Sequence, residues 1–444
     1  MAKAAQSVAV SDTGATYKVL DLSLRIGEIL LSSGAGAADV TATMQALTKH
    51  YGLRSADIDV TFTSLRASYQ DDPEDMPVLL SRSVATRDID YDDLTRVHLL
   101  IGDVLRDDVT LTEARTRVAR IRSTGHYLPK WAIVVGHGLV GGGIAVLLDG
   151  GPVITLVATV SSVLVIMLTR TMNRTRWPMF YQQAAGGLLA TLLALSATKI
   201  DSSLSTSLVI TANIVMLLSG VGFMGAIQDA LTGFYLTAGA RIIEALLATA
   251  GLIVGVSAGL ALAPKVGLDA LYIGPGTTSL ATPGFVVLGA VVAAVAFAFT
   301  CYAPWRALPA VAATTLLAHL AYLAVTDPRQ SQPWAAACAA IVIGVVSYSV
   351  SGQVRVPPLV VVVPALVPML PGLLIYRGLT YMSSGDSQGI VSLTNAAATT
   401  IALAAGVILG EYASQPLKRN VRRVESRLAG PRMVGVLHGH LTRR

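Results

Sequence analysis

From residue 131 onward the chain is a succession of apolar runs, near 131–149, 152–169, 179–198, 204–227, 239–263, 284–300, 307–325, 334–351, 357–376 and 387–411. Each is close to the ~20 residues an α-helix needs to cross a ~30 Å hydrocarbon core, so the spacing predicts ten transmembrane helices. Composition agrees. Of 444 residues 53% are hydrophobic and 14% charged, and the mean hydropathy is +0.61, which excludes an ordinary soluble enzyme. Residues 1–129 hold 18 Asp+Glu against 14 Lys+Arg, whereas 130–444 hold 9 against 19. The overall excess of +6 therefore sits in membrane loops and tail, where it is a topology signal and not a nucleic-acid footprint.

Four regions follow: a cytoplasmic α+β domain over 1–129, membrane segments of five spans each over 130–263 and 264–411, and a basic tail over 412–444. In the first, Val19, Leu22, Ile26, Ile29 and Leu30 form one helical stripe. "SSGAGAADV" then breaks the run, and Asp39 is expected to cap the next helix. Residues 57–63 and 78–86 read as strands, and 91–106 and 111–122 as helices, the last of them basic. The carboxylates here, Glu28 among them, read as a solvated face, because no nucleophile–His–acid spacing occurs. The opening stretch "MAKAAQSVAVSDTGATYKVL" lacks an apolar core of signal-peptide length, so the domain is expected in the cytoplasm.

With that end inside, the inner loops carry Arg170, Arg174, Arg176, Arg241, Arg306 and Arg355, and the outer ones Lys199, Lys265, Arg329 and Arg377. Lys130 and "KRNVRR" (418–423) add to the inner side, so both termini are expected in the cytoplasm. Adding 152 to the first five spans lands on the last five, and "MLLSGVG" (216–222) falls on "PMLPGLL" (368–374). Five is odd, so the halves must insert with opposite orientation, as in secondary transporters whose site lies at interrupted helices near the midplane.

Pro364, Pro368 and Pro371, followed by Gly372, mark such an interruption: each proline removes an amide hydrogen and crowds a carbonyl, which is tolerated only against protein, water or a ligand. The alternative is a packing kink. Gly220, Gly222 and Gly225 occupy the matching stretch. The polar groups inside or at the edge of spans complete the candidates for substrate or coupling: Asn213, Asp229, Arg241, Glu244 and Asn395, with Gln182 and Gln183 weaker. Glu244, one turn past Arg241, reads equally as its ion-pair partner. Interhelical hydrogen bonding is the plainer role for Asn213 and Asn395, as is a bonded carbonyl for His137 and His319. Cys301 and Cys338 read as small hydrophobes. No metal site, cofactor or catalytic residue is expected.

"GEILLSSGAGAADV" (27–40), "DIDVTFTSL" (57–65), "AIQDALTGFYLTAGARIIEALL" (226–247) and "MLPGLLIYRGL" (369–379) together resemble the bacterial threonine/serine exporters over nearly the whole chain. The resemblance implies a multi-pass protein of the bacterial cytoplasmic membrane that exports L-threonine and L-serine, driven by the membrane potential or a proton gradient. Its cytoplasmic domain would gate or assemble the exporter, and a homo-oligomer is compatible with it. Two rival readings come with it: a membrane-anchored hydrolase acting through residues 20–90, and an exporter of a dicarboxylate such as succinate, for which Arg241 and Arg377 are the nearby cations. Where the first half has Ser219–Gly220, the second has Pro371–Gly372, so a matched proline pair is absent.

Overall fold

The structure, a computed structural model, describes residues 13–84, 89–126, 128–198, 209–210, 212–213, 220–266, 283–326, 332–383 and 386–414. The first domain is built around α1 (Thr13–Ser32), whose stripe of Val19, Leu22, Ile26, Ile29 and Leu30 is buried against the sheet and the other helices. Gly34, at φ +92°, ends it: the Gly34 amide donates to Leu31 and the Ala35 amide to Leu30, the paired bonds that close a helix whose next residue is left-handed. α2 (Ala37–His50) follows, then β1 (Asp57–Val60), β2 (Ser64–Tyr69) and β3 (Val78–Ser83), an antiparallel sheet in the order β1-β2-β3.

β2 has no counterpart in the sequence reading, which ran one strand over 57–63. The β1–β2 turn is closed by hydroxyls, Thr61 Oγ1 against Ser64 Oγ at 2.8 Å and accepting from the Ser64 amide at 3.2 Å. A turn without Gly, Pro or Asn leaves no punctuation to read. α3 (Tyr91–Leu105) is capped by Asp90, which accepts from the Asp92 and Asp93 amides, and α4 (Leu111–Ser123) by Thr110. One expectation is overturned: the N-cap of α2 is Gly36 and not Asp39, which lies inside the helix.

The membrane region comprises α5 (Lys130–Leu147), α6 (Pro152–Arg174), α7 (Met179–Thr198), α8 (Gly220–Leu231), α9 (Tyr235–Leu262), α10 (Pro283–Thr300), α11 (Leu308–Val325), α12 (Gln332–Val354), α13 (Leu359–Leu366), α14 (Gly372–Ser383) and α15 (Gln388–Ser414). Among the described residues, seven stretches are long and apolar enough to cross a bilayer: Lys130–Leu147, Pro152–Arg174, Tyr235–Lys265, Pro283–Thr300, Trp305–Val325, Gln332–Val354 and Gln388–Ser414. Three of the ten expected spans fall outside that set. α7 is helical, but Gln182 and Gln183 make its first turns polar. Half of 204–227 lies outside the described residues, as does the tail from 415. The third, 357–376, is broken.

The helices pair in a regular order. α5 packs on α6, α6 on α7 and α7 on α9; likewise α10 packs on α11, α11 on α12 and α12 on α15. α8 lies between α9 and α15, α14 between α15 and α9, and α5 meets α10. Two of the backbone-to-backbone contacts, α7–α9 and α12–α15, match between the halves. A Cβ on Gly251 or Gly255 of α9 would come 2.3 or 2.0 Å from the Phe180 or Ala184 carbonyl of α7; one on Gly406 or Gly410 of α15 would come 2.7 or 2.3 Å from the Ala337 or Ile341 carbonyl of α12. Only glycine lets membrane helices approach this closely.

Candidate functional site

Two stretches far apart in sequence, one in the soluble domain and one in the first membrane half, meet at the foot of the membrane region. α8 ends at Leu231 and Gly233, at φ +91°, turns the chain into α9, which brings Asp229 and Arg241 together: Arg241 Nε lies 3.2 Å from Asp229 Oδ2. Both are buried, Asp229 at 1% and Arg241 at 9% exposure. Gly225 makes the room, since a Cβ there would sit 2.5 Å from Arg241 Nη1. The pair does not stand alone. The Ala37 amide at the start of α2 donates to Asp229 Oδ1 at 2.9 Å, and Arg241 Nη2 donates to the Ala35 carbonyl at 3.2 Å.

A membrane-region carboxylate thus caps a helix of the N-terminal domain. Gly36 has no side chain to accept the first amides of α2, and their orphan donors and the positive end of the helix dipole favour an anion, which Asp229 supplies. Arg241 balances that charge and holds the loop carbonyl, so loop, carboxylate and guanidinium form one closed joint. Glu244 is not the partner of Arg241; it is exposed on the outer side of α9. One turn of spacing placed it near enough, but α8 fills the inner side of that helix and delivers Asp229 there first.

The domain also grips the second half of the membrane region. The Tyr91 amide donates to the Cys301 carbonyl at 2.8 Å, and the His126 ring stacks on Tyr302 with centroids 3.8 Å apart. Tyr302 is left-handed at φ +60°, an uncommon state for a bulky side chain that the stacked ring and the end of α10 hold in place. Asp90 pairs with His126 and caps α3. Burial, then the neighbouring Asp90, pushes the Asp93 carboxyl up to about 6. Among the described residues, Asp90, Asp93 and His126 form the one group with donor atoms close enough for a metal ion, within 4.8 Å of one another. Asp90 already spends one oxygen on the helix cap and the other on His126, so this is a structural cluster first.

The interruption expected at Pro364–Gly372 is present. α13 stops at Leu366, a 3₁₀ turn covers Val367–Met369, Leu370 is extended at φ −64°, ψ 133°, and α14 starts at Gly372. Pro364 stays inside α13, Pro368 opens the 3₁₀ turn and Pro371 precedes α14, so the three do not share one continuous helical face. α8 is described from Gly220 onward, and Gly220 is the position that the repeat aligns with Gly372, where α14 starts. Residues 214–219 lie outside the described set.

The remaining candidates scatter. Asn213 accepts from Ser162 of α6 at 2.9 Å and donates to Val209 at 2.8 Å, an interhelical hydrogen bond. Asn395 is exposed. His137 and His319 bond the Ile133 and Thr315 carbonyls of their own helices, and Gln182 donates to the Trp177 carbonyl. Cys301 and Cys338 are free thiols. One buried polar contact was missed: the Tyr348 hydroxyl of α12 donates to Glu411 of α15. Its signal was legible, because Glu411 is the one carboxylate in the apolar run 387–411.

Long apolar helices paired through glycine seams, one of them restarting after a proline break, with an N-terminal domain docked on them, define a polytopic membrane protein. Residues 21–263 match the family model described as "Putative threonine/serine exporter", and residues 286–413 the model "Threonine/Serine exporter, ThrE". The chain belongs to the threonine/serine exporter family, and is a multi-pass bacterial membrane protein. It is 35% identical to the "Probable threonine/serine exporter" of Mycobacterium tuberculosis, over 94% of this chain and 80% of that one. It is 32% identical to the "Threonine/serine exporter" of Corynebacterium glutamicum, over 93% and 86%. No solved structure matches it.

Proposed function

We propose that this chain is a secondary active exporter of L-threonine and L-serine, driven by the proton motive force. It would cross the cytoplasmic membrane ten times in two inverted five-helix halves, with both termini in the cytoplasm. Family membership across both halves carries the substrate, since both curated relatives are named as exporters of these amino acids. The matching helix pairings support the duplicated architecture. Contacts of the soluble domain with Asp229, Arg241, Cys301 and Tyr302, the reach of Arg170 to the Lys130 carbonyl and that of Arg306 to the Arg355 carbonyl support one shared face for these junctions, the cytoplasmic one.

In this reading the substrate lies between Gly220 and the start of α14 at Gly372. The first-turn amides of α14 receive the carboxylate, and the carbonyls released around Pro368 and Pro371 receive the ammonium. Asp229 and Arg241 hold the soluble domain, and Glu244 and Asn395 lie outside the substrate path. The domain touches both halves, so it is placed to gate their relative movement. Its carboxylates speak against a hydrolase: Asp21 is bound by Arg25, Arg82 and Arg115, and Glu28 by Arg82 and Arg122. Arg241 is neutralised by Asp229, which leaves a dicarboxylate without that cation.

The test is efflux from proteoliposomes loaded with labelled threonine, serine or succinate, with and without a proton gradient. Threonine and serine should leave faster with the gradient and succinate should stay; succinate efflux alone would overturn the substrate assignment. Replacing Pro368 and Pro371 together with alanine should refill two backbone hydrogen bonds and abolish threonine efflux while the protein stays folded. Normal efflux from that variant would remove the broken helix from the site. A Gly151→Cys variant should react with an impermeant thiol reagent in intact cells, and Thr175→Cys should not; the reverse pattern would invert the topology.

A further inference from the structure

Glu411 lies in the last turn of α15 and is 2% exposed, with the Tyr348 hydroxyl of α12 donating to Oε1; Tyr348 is itself 5% exposed. The two helices touch here along the Gly344–Gly410 seam, where a Cβ on Gly344 would come 3.0 Å from the Glu411 amide. From Tyr348 to the end of α12 at Val354 is about 9 Å of helix, so the pair sits just inside the cytoplasmic mouth in the topology above.

Packing does not require a carboxyl at this place. In the other half the same seam runs through Gly251 and Gly255, and the residue following Gly255 is Val256, buried at 2% exposure. An apolar side chain follows the second glycine of that seam, whereas an acid follows Gly410, the second glycine of this one, and its burial in a span is costly and marks ion or proton pathways. Among the described residues, several titratable groups of the membrane region lie elsewhere. Asp229 of α8 is held by Arg241 and Ala37, and Glu244 is exposed. α14, which bears Arg377 and Tyr381, meets α15 around Gly389 and Leu393, roughly 27 Å along the helix from Glu411. From α12 the group that reaches Glu411 is Tyr348.

We propose that Glu411 carries the coupling proton of this exporter and that Tyr348 positions it; the assignment rests on the proton-driven reading above. A proton from outside adds to a carboxylate oxygen of Glu411, and the neutral acid permits the seam between α12 and α15 to shift. The same proton then leaves to the cytoplasm, the carboxylate recovers its bond from Tyr348, and no other atom is exchanged.

The full-length protein in proteoliposomes loaded with labelled threonine tests this. E411Q is expected to lose gradient-driven efflux at least tenfold while still exchanging internal labelled for external unlabelled threonine, a reaction that moves no net proton. Gradient-driven efflux from E411Q within twofold of the parent protein overturns the assignment. If E411Q loses exchange as well, Y348F decides. It should exchange normally and move the midpoint of the pH profile of driven efflux by about one unit; an unchanged profile overturns the proposal. A parent protein that exports threonine but ignores the proton gradient would instead overturn the proton-driven reading, and Glu411 with it.

Discussion

Residues 130–262 and 283–414 are packed alike but equipped differently. Each half has a long last helix, α9 or α15, pressed on the third through two glycines four residues apart, and each has a further helix, α8 or α14, that leans on the other half. At the foot of the first half Gly225 opens space for Arg241; in the second, Gly378 opens the comparable space for Leu393, whose Cγ lies 2.6 Å from where a Cβ would be. One half therefore presents an ion pair to the N-terminal domain, whereas the comparable place in the other half holds an apolar contact. The second half instead holds the proline break and the buried Glu411.

The seams are where that likeness is most exposed to test. Gly255→Val and Gly410→Val should each remove folded protein, because the new side chain meets a backbone carbonyl that cannot rotate away, a loss of about 3 kcal/mol or more. Gly239→Ala, with nothing within 4 Å of its Cβ, should be tolerated. Size-exclusion profiles of tagged protein read all three, and a large difference between the two valine variants would break the parallel.

The asymmetry comes next. Asp229→Ala strands a buried guanidinium and uncaps α2, so a loss of about 3 kcal/mol is expected, with the soluble domain becoming more accessible to protease while α5–α7 stay protected. Leu393→Ala, at the comparable place in the second half, should leave the domain docked. A protease pattern unchanged by Asp229→Ala would show that the Tyr91 and His126 contacts hold the domain without this joint.

The smallest effect concerns the domain alone. Burial raises the Asp21 carboxyl, but hydrogen bonds from Arg25 and Arg115 and their charges outweigh it and hold the group below its ordinary value. A carboxyl depressed on folding stabilises at pH above its unfolded value and loses that contribution as pH falls through the folded one. Asp21→Asn should lower the melting temperature of the purified protein by about 3 °C at pH 7, and the two curves should approach each other as the pH falls below the ordinary carboxylate range. A gap that does not narrow with falling pH would assign the effect to packing.

Much of the site was legible before the fold. Pro364, Pro368 and Pro371 predict a break because proline cannot donate its amide wherever the helix lies, and the break is there, although the 3₁₀ turn at Val367–Met369 scatters their directions. The buried roles of His137, His319 and Asn213 follow equally from local hydrogen bonding. The partner of Arg241 was not legible. Spacing along one helix nominated Glu244, and nothing local distinguishes it from Asp229 on the preceding helix.

Sequence alone determined what depends on length and periodicity: an acidic soluble domain, long apolar helices, and the places where backbone chemistry forbids a regular helix. Tertiary structure decided which polar groups meet. Asp229 caps α2 from 192 residues away, and Tyr348 reaches Glu411 across 63. Periodicity reports which face of a helix is buried, but the neighbour that fills that face is chosen by the packing of the whole chain. A charge placed in a low-dielectric interior takes whichever partner that packing delivers.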